Sequence, residues 1–526
     1  MTAGSATAPR GHARRRTPRF WAVLRAGTLL AFAAMALFSF ATPLYAAPDE
    51  PVHVIKAAAV ARGQLVGRTT GASQEAFGLV RVPGTYGLPA NRNSPTCFHR
   101  HPTVPASCAP GLVASSAPVA SWIYVARYPP LYYAIVGLPS LVSSGVWTIY
   151  AMRLVSALLS ALFIGCAAAV AICYSRRRLA LVGVVVATTP MVLFLGGVVN
   201  PSGFEVAAAI SAWTAGSVLV AEHLDDPPPG LVGALGVSVV VLALIRLLSP
   251  FWLALIGLTL AGVAGASGLR RLWASHAVRV AGACALVAGA LASAWILREH
   301  STAVYARAGL GNVSELTILE TSFAHNDFYL PTMIGVFGWF DTWAPTFTYV
   351  AWYALVGALV LFAAARGRRR DALVLGLLVA AVLVVPVAIS TSQVHRYGYT
   401  WSGRDTLPLA VGLPVLAGAL LGRDGVGGRS AALAARLSPV AALAQFGAFF
   451  EALRRYAVGT RGPDFAFLFD YAWRPPGGFA LLLALESAVL LVGAGAVVTA
   501  VGRGREPAPP ADEGGPTGRR ARDALA

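Results

Sequence analysis

The sequence predicts an all-α integral membrane protein with about twelve membrane-spanning helices. Of the 526 residues, 56% are hydrophobic and only 12% are charged, and the mean hydropathy is +0.65. This composition is far too apolar for a soluble globular protein. Many apolar runs approach the roughly 20 residues that an α-helix needs to cross a bilayer. Arginines also cluster in short loops between these runs, as they do in helical membrane proteins.

The predicted spans follow one another along the chain, and their number lies between eleven and thirteen. The first span covers about 20–45 and follows a short arginine-rich segment. An apolar stretch at about 131–143 is too short to cross the bilayer, and we expect it to form an interfacial or re-entrant helix. The other predicted spans are at about 147–174, 179–197, 203–221, 230–247, 250–267, 277–297, 347–365, 372–391, 406–422, 430–450 and 478–501.

The arginine clusters predict the orientation of the chain in the plasma membrane. Basic residues concentrate in cytoplasmic loops, and the cluster at 14–19 therefore puts the N-terminus in the cytoplasm. With twelve spans the later clusters fall on the same side, namely Arg176–Arg178, Arg270–Arg271, Arg366 with Arg368–Arg370, Arg423 with Arg429, and the C-terminal tail from Arg503. We interpret the net charge of +18 as a consequence of this topology, and we expect no nucleic-acid partner.

The sequence predicts one transmembrane domain at 19–502, between tails at 1–18 and 503–526 that we expect to be disordered in the cytoplasm. The outer face then receives two long loops, 46–146 and 298–346, whereas the cytoplasmic loops are short and basic. Loops longer than about 15 residues are usually functional or disordered. Because the unusual motifs lie in these long loops, we predict that the outer face carries the function.

Two adjacent carboxylates, Asp49 and Glu50, follow the first span and lie between Pro48 and Pro51. The prolines favour extended or turn backbone at this point, and a charged pair does not anchor a helix in lipid. One interpretation is an ordinary solvated helix end. The other is that Asp49 and Glu50 are catalytic residues. The same pair could also hold Mg²⁺ or Mn²⁺, although two carboxylates are a small set of ligands.

Cys97 and Cys108 lie in the first outer loop with ten residues between them. Outside the cytoplasm such a pair either closes a small loop by a disulfide or remains as two free thiols. His99 and His101 stand close to Cys97, but their spacing does not match a zinc-binding pattern.

A basic aromatic segment ends the first outer loop. Tyr128, Tyr132 and Tyr133 either form an aromatic belt at the level of the lipid headgroups or, together with Arg127, receive a lipid-borne substrate near its phosphate. Arg153 lies just inside the next span, where a charge is costly in lipid. We therefore expect Arg153 to face a cavity or a charged partner.

Two later outer segments contain similar residues. Trp339 and Asp341 precede the eighth predicted span, and Arg396 and Arg404 precede or begin the tenth. A guanidinium at the mouth of a span could bind a phosphate, or Arg404 could pair with a carboxylate such as Asp405. Further polar residues are expected at the same level, namely Asn200, Glu205, Arg246 and Ser249.

The order of these motifs resembles a large, uncharacterised bacterial family of polytopic membrane proteins, common in actinobacteria, that is grouped with the GT-C glycosyltransferases. The resemblance covers about residues 20–422, and Asp405 departs from it, because related sequences usually have an aromatic residue there. It rests on Pro-Asp-Glu-Pro-x-His at 48–53, Tyr-Pro-Pro-Leu-Tyr-Tyr at 128–133, Phe-Gly-Trp-Phe-Asp at 337–341 and Gly-Arg-x-x-x-Pro-Leu at 403–409. The resemblance implies a GT-C-like fold and transfer of a sugar from a polyprenyl-phosphate donor on the outer face. It also implies that an acidic residue of the first outer loop, here Asp49 or Glu50, acts as general base or metal ligand.

We therefore predict a glycosyltransferase that moves a sugar from a polyprenyl-phosphate-linked donor, held in the membrane lipid, to a glycan acceptor of the cell envelope. A carboxylate removes the acceptor proton, and arginines stabilise the departing phosphate. The predicted substrate-binding residues are His53, Arg127, Tyr128, Tyr132, Tyr133, Arg153, Trp339, Asp341, Arg396 and Arg404. The alternative is a transporter or flippase of a lipid-linked glycan, which ionisable residues at mid-span would favour.

Overall fold

The structure is a computed structural model that describes residues 16–68, 77–87, 95–224, 226–302, 313–424 and 430–503. For 16–18, 396, 397 and 424 only the backbone is described. The predicted tails at 1–18 and 503–526 therefore lie outside the described residues, except for the backbone of 16–18 and for Arg503. The side chain of Arg396 also lies outside them.

The described chain is mainly helical and has very few strand residues, which confirms the predicted all-α class. Its helices are α1 Arg16–Ala41, α2 Glu50–Ala61, α3 Leu131–Val136, α4 Pro139–Val142, α5 Trp147–Tyr174, α6 Leu179–Ala187, α7 Pro190–Gly196, α8 Pro201–Ala221, α9 Pro229–Ile245, α10 Ser249–Ala274, α11 His276–Arg298, α12 Glu315–Ala324, α13 Asn326–Ile334, α14 Thr346–Arg366, α15 Arg369–Tyr397, α16 Gly403–Ala410, α17 Gly412–Asp424, α18 Ser430–Val458 and α19 Phe479–Gly502. The other described elements are two antiparallel hairpins and two short 3-10 helices, Ala106–Cys108 and Ala466–Leu468. The hairpins pair β1 Gly78–Pro83 with β2 Pro118–Ile123, and β3 Val336–Phe337 with β4 Thr342–Trp343.

Ten spans in the described part of the chain are long and apolar enough to cross a bilayer, and α6 with α7 makes an eleventh if this bent pair is one span. Each predicted span coincides with a helix or helix pair, but the expected number of about twelve is reduced in two places. The segment predicted at about 230–247 forms α9, which has only 17 residues. The segment predicted at about 179–197 is bent by 66° between α6 and α7.

The bend between α6 and α7 follows from the local sequence Thr188-Thr189-Pro190. Proline has no backbone N–H and disfavours helical geometry in the residue before it. Thr189 has extended backbone and caps α7, because its side chain accepts a hydrogen bond from the Val192 N–H at 3.3 Å. The helix therefore ends at Ala187 and restarts in a new direction at Pro190.

Helix α8 forms the centre of the bundle, and every one of its residues is buried. It packs against α5, α9, α10 and α17, and small residues along its length, such as Ala207–Ala209 and Gly216, allow neighbouring helices to approach closely. The indole of Trp213 donates a hydrogen bond to the Pro408 carbonyl at 3.0 Å, which satisfies its buried N–H. The N-terminal end of α8 supports the candidate site.

Several non-spanning elements gather at one end of the bundle, beside the C-terminus of α1 and the N-termini of α5, α8 and α16. They are α2, the β1–β2 and β3–β4 hairpins, and the short helices α3 and α4, which form at the predicted apolar stretch 131–143. Asn200, the N-cap of α8, joins this end to the segment after α1, because its side chain donates to the Pro48 carbonyl at 3.0 Å. The predicted long first loop is therefore largely structured where it is described.

Candidate functional site

The turn between α1 and α2 presents Asp49 to the site. Tyr45 and Asp49 have φ values of 68° and 62°, in the left-handed region that few residues other than glycine adopt. Asp49 is the N-cap of α2, but its carboxylate makes no capping hydrogen bond to that helix. Unusual backbone of this kind is enriched at functional sites. Here it leaves the carboxylate free to interact with other elements.

The Asp49 carboxylate contacts Arg404 and Tyr124. Its Oδ2 lies 2.5 Å from Nη2 of Arg404, and its Oδ1 accepts a hydrogen bond from the Tyr124 hydroxyl at 2.5 Å. The Asp49 side chain keeps 23% of its surface exposed and Arg404 keeps 13%. Burial alone raises the pKa of Asp49, but the charges of Arg404 and His53 and the hydrogen bond from Tyr124 lower it to about 2. The carboxylate is therefore ionised at neutral pH. It is also partly exposed to solvent and paired with a cation.

Glu50, although adjacent, has a different environment. It is fully buried and accepts a forked pair of hydrogen bonds from Arg153, at 2.7 Å from Nε and 2.6 Å from Nη2. The Val199 N–H donates to the same carboxylate at 3.2 Å. Paired, fork-shaped contacts of this type are strong and geometrically specific.

Arg153 uses its remaining donors on the end of α1. It donates to the carbonyls of Ser39, Thr42 and Pro43 at 2.7, 2.9 and 2.8 Å. The charged partner expected for Arg153 is therefore Glu50, and this pair fixes the turn that carries Asp49. The geometry favours a positioning role for both residues, whereas the roles of Glu50 in catalysis and of Arg153 in substrate binding stay predictions.

A second charged cluster lies beside Arg404. Arg246, in the break between α9 and α10, contacts Glu205 at 3.0 Å and Asp405 at 3.2 Å. Ser249 donates to the other oxygen of Glu205 at 2.7 Å. Arg404 was expected to bind a phosphate or to pair with a carboxylate such as Asp405. It does pair with a carboxylate, but not with that of Asp405. Asp405 pairs with Arg246, and Arg404 pairs with Asp49.

The local backbone explains how neighbours 404 and 405 reach different partners. Ser402 is the N-cap of α16 and donates its hydroxyl to Oδ2 of Asp405 at 2.9 Å, while its backbone N–H also donates to Asp405. This capping box holds Asp405 at the start of the helix. The guanidinium of Arg404 lies over the ring of Phe340, with Cζ 5.3 Å from the ring centroid.

The predicted aromatic residues are buried around His53. The Tyr133 hydroxyl lies 2.9 Å from Nδ1 of His53, and the Tyr132 hydroxyl lies 2.9 Å from Ser156 Oγ. Burial lowers the pKa of His53 to about 3, so its imidazole is neutral at physiological pH. Tyr132 and Tyr133 have no exposed surface. They therefore pack in the interior instead of forming an aromatic belt, and Tyr128 is half-buried against the same core.

Cys97 and Cys108 form a disulfide, as one of the two alternatives predicted. Buried Arg455 holds the enclosed loop, because it donates to the carbonyls of Phe98, His101 and Val104 at 3.0, 3.0 and 2.7 Å. The loop is thereby anchored to the end of α18.

Trp339 and Asp341 support this loop. His99 stacks on the Trp339 ring with centroids 4.1 Å apart, and both side chains contact the Tyr45 carbonyl, at 2.8 and 3.4 Å. Asp341 lies 3.5 Å from Arg455 and accepts from the Arg100 N–H at 3.0 Å. Their described contacts reinforce the turn before Asp49, and direct contact with substrate stays a prediction.

The structure brings together only part of the predicted site. Its centre is Asp49 with Arg404, and three of its neighbours, Tyr124, Arg246 and Phe340, are not among the predicted catalytic or substrate-binding residues. Arg246 was noted as a polar residue at this level, but no motif marks Tyr124, which reaches Asp49 only through the β1–β2 hairpin.

Arg127 does not join this centre through its side chain. Its carbonyl accepts hydrogen bonds from Trp295 at 3.1 Å and Ser301 at 2.7 Å. Within the described residues its guanidinium forms no ion pair with Asp49 or Glu50. Binding of a donor phosphate by Arg127 stays a prediction.

The carboxylate pair does not fit a divalent metal. Both oxygens of Glu50 already accept hydrogen bonds from Arg153, and Asp49 faces Arg404, whereas Mg²⁺ and Mn²⁺ sites need oxygen ligands that are free to converge. In the part of the chain that the structure describes, no group of three or more His, Cys, Asp or Glu residues is arranged to hold a metal ion.

The comparisons with known proteins identify a family and two similar structures. The model of the family described as "Predicted membrane protein (DUF2142)" matches residues 32–413. No curated protein matches the sequence significantly. The similar structures are two crystal structures of ArnT from Cupriavidus metallidurans. The structure bound to undecaprenyl phosphate has 16% sequence identity and a TM-score of 0.43, and covers 92% of this chain and 77% of that one. The apo structure has 15% identity and a TM-score of 0.42, with 92% and 76% covered.

Proposed function

The chain belongs to the DUF2142 family of predicted membrane proteins, and we propose that it is a glycosyltransferase of the extracytoplasmic membrane face. It moves a sugar from a polyprenyl-phosphate-linked donor to a glycan acceptor of the cell envelope. The observation that carries this proposal is the pairing of a solvent-accessible carboxylate, Asp49, with the guanidinium of Arg404 at the mouth of a span. The Asp49 carboxylate can accept the proton of the acceptor hydroxyl, and the Arg404 guanidinium can bind the donor phosphate.

Asp49 is the proposed general base of an inverting transfer. The acceptor oxygen attacks the anomeric carbon of the donor sugar, and the bond from that carbon to the phosphate oxygen breaks. The acceptor proton passes to the Asp49 carboxylate, and the bonding electrons leave with the lipid phosphate. The open lone pairs of Asp49 support this role, since Tyr124 and Arg404 occupy only one direction on each oxygen.

Arg404 is the proposed ligand of the donor phosphate. A guanidinium binds phosphate with the same forked geometry that it uses for carboxylates, so the donor competes with Asp49 for Arg404. The charge of Arg404 lowers the pKa of Asp49. When the donor phosphate engages Arg404, this effect weakens and Asp49 becomes a stronger base. Donor binding thus prepares the base for the acceptor.

Arg246 is positioned to offer the phosphate site a second guanidinium, whose charge is shared with two carboxylates. It is held by Glu205 and Asp405 at 3.0 and 3.2 Å, and its side chain keeps 16% of its surface exposed. Asp405, which it contacts, is the neighbour of Arg404 in sequence. Two fixed guanidinium groups can stabilise the charge that develops on the departing phosphate without reorganising.

The orientation of the site is part of the proposal. The basic clusters support a cytoplasmic position for both termini, and Asp49 then lies on the outer side of the plasma membrane. The polyprenyl-phosphate-linked donor and the glycan acceptor of the cell envelope would meet on that side.

One observation supports the alternative, a transporter or flippase of a lipid-linked glycan. Glu486 lies about 10 Å along α19 from its start, is fully buried, and has no hydrogen-bond partner for either oxygen among the described residues. Ionisable residues inside a span often mark transport or proton pathways. No motif in the sequence marks this residue.

A reconstitution assay separates the two functions. Purified protein in proteoliposomes is supplied with a panel of polyprenyl-phosphate pentoses and hexoses carrying a labelled sugar, together with extracted envelope glycan. A transferase forms labelled glycan with a new glycosidic bond, and protein-free liposomes form none. Movement of the intact donor across the bilayer, with no new glycosidic bond, would contradict the transferase function and support the flippase function.

A further inference from the structure

A basic pocket lies at the opposite end of the bundle from Asp49. Helix α8 connects the two ends, because Asn200 contacts Pro48 at its start and His223 follows its last turn. Its 21 residues span about 30 Å. The pocket has a volume of about 520 Å³ and is lined by His223, Ala264, Ser267, Arg271, Arg368 and Arg370.

A break in α10 shapes one wall of this pocket. Gly265 has φ 63° and ψ 177°, which interrupts the helix, and a side chain at this position would clash with the guanidinium of Arg370. Arg370 also donates a hydrogen bond to the Val263 carbonyl, which the break exposes. Arg370 therefore has a structural role, whereas Arg271 and Arg368 line the pocket from exposed positions.

His223 contributes an unsatisfied polar atom to the same pocket. Its Nε2 is buried and has no hydrogen-bond partner within the described residues. Burial and the charges of Arg368, Arg271 and Arg423 lower the pKa of His223, which shows that the field around this ring is positive. A buried ring nitrogen without a partner is costly. An anionic ligand would satisfy this nitrogen and offset the surrounding positive charge.

An apolar crevice continues from the basic pocket. It shares His223, Ala264 and Arg271 with that pocket, and its remaining lining residues are Leu219, Val220, Leu224, Gly268 and Leu272. This crevice has a volume of only about 10 Å³, so it does not hold an acyl chain. The basic pocket lies where α10 ends and α15 begins, and both helices are long and apolar enough to span a bilayer. An anion bound there would lie at the level of the lipid headgroups.

We propose that this pocket binds the phosphate of an anionic phospholipid in the cytoplasmic leaflet, whose acyl chains stay in the surrounding bilayer. His223, Arg271 and Arg368 contact the phosphate. Basic pockets between spans on the cytoplasmic side bind lipid headgroups in this way. The site is distinct from the one at Asp49 and does not depend on the proposed transferase activity.

The test compares lipid binding by full-length variants. Protein is stripped in a neutral detergent and titrated with phosphatidylglycerol, and bound lipid is counted by native mass spectrometry. The double variant Arg271→Gln/Arg368→Gln should bind about 30-fold more weakly, since each arginine near an anionic headgroup contributes about fivefold. Arg270→Gln/Arg369→Gln is the matched control, because these neighbouring arginines do not line the pocket and should keep wild-type binding.

Three further arms make the result decisive. Arg271→Lys/Arg368→Lys keeps the charge and should retain most of the binding, which excludes misfolding as the cause of a loss. Phosphatidylcholine should not compete for the site. Equal losses in the pocket pair and the control pair would overturn the proposal in favour of general attraction by surface arginines. Displacement of the lipid by inorganic phosphate at equal concentration would instead assign the pocket to a soluble anion and refute a lipid site.

Discussion

Asp49 and Arg404 stand 355 positions apart in the sequence, yet their side chains form an ion pair at 2.5 Å. This contact joins the turn between α1 and α2 to the start of α16. The adjacent Glu50 pairs with Arg153, with no exposed surface on either side chain. Two neighbouring carboxylates therefore lie in different environments, since Asp49 is partly exposed and Glu50 is enclosed. Such differences commonly separate a reacting group from a supporting one.

Replacing Glu50 should mainly affect stability. Glu50→Gln leaves the buried charge of Arg153 without its counter-ion, and breaking a buried pair costs about 3–5 kcal/mol. Thermal unfolding in detergent, followed by tryptophan fluorescence, should show a clearly lower midpoint. Glu315→Gln is the control, because Glu315 is 77% exposed and its partner His395 is 43% exposed, and surface pairs contribute only about 0–1 kcal/mol. A Glu50→Gln protein with wild-type stability and no transfer would instead make Glu50 the base.

Arg404 should determine affinity for the donor phosphate. A hydrogen bond to a charged group contributes about 1.5–3 kcal/mol, so Arg404→Gln should weaken binding of labelled polyprenyl phosphate by about 10- to 150-fold. Arg100→Gln serves as the control, because Arg100 is exposed near the same face and its described contact to Asp341 is made by the backbone. Equal affinities for wild type and Arg404→Gln would exclude Arg404 as the phosphate ligand.

The features that depend on local composition could be predicted from the sequence alone. Apolar length located the spans, and burial cost correctly predicted that Arg153 would have a partner. The sequence could not predict that Arg404 pairs with Asp49 and that Arg246 pairs with Asp405. It depends on how α16 is rotated and on the capping of its first turn, and both are tertiary properties.

The same limit applies to Tyr124 and Glu486. Tyr124 reaches Asp49 because the antiparallel register of β1 and β2 carries it there, and register is set by pairing between distant segments. Glu486 is one acidic residue in a strongly apolar run, where a single charge does not alter the prediction of a span. Only the packing of α19 shows that it is enclosed.

Lys56, the only lysine in the chain, should make stability depend on pH. It is fully buried and donates to the carbonyls of Leu65 and Ala126, and burial lowers its pKa from 10.5 to about 7. Between these values the unfolded chain binds a proton that the folded chain does not, so stability rises with pH, by at most about 1.4 kcal/mol per pH unit.

The Lys56→Met variant isolates this contribution. The difference in unfolding free energy between wild type and Lys56→Met should grow in favour of wild type from about pH 7 to pH 10 and be flat below pH 6. A difference that does not change with pH would show that Lys56 keeps its charge in the folded protein.

Topology can be tested by labelling single cysteines in intact cells, in a background where exposed Cys284 is serine. A membrane-impermeant maleimide should react with cysteines placed at Gly84 and Ser314, which lie in the proposed outer loops. A cysteine at Arg368 should react only after the membrane is permeabilised. Labelling at 368 from outside would show that the chain has the opposite orientation and that the site does not lie on the outer face.

The most direct test of the account is sugar transfer by Asp49→Asn. Asparagine keeps the size of the side chain but removes its basicity, so turnover in proteoliposomes should fall by about 10² to 10⁴. The unfolding midpoint should stay close to that of wild type, and donor binding should not weaken, because asparagine competes less than aspartate for Arg404. Asp464→Asn, which changes an 80% exposed carboxylate paired with Arg454, should transfer at the wild-type rate. Turnover by Asp49→Asn within threefold of wild type would contradict the assignment of Asp49 as the catalytic base.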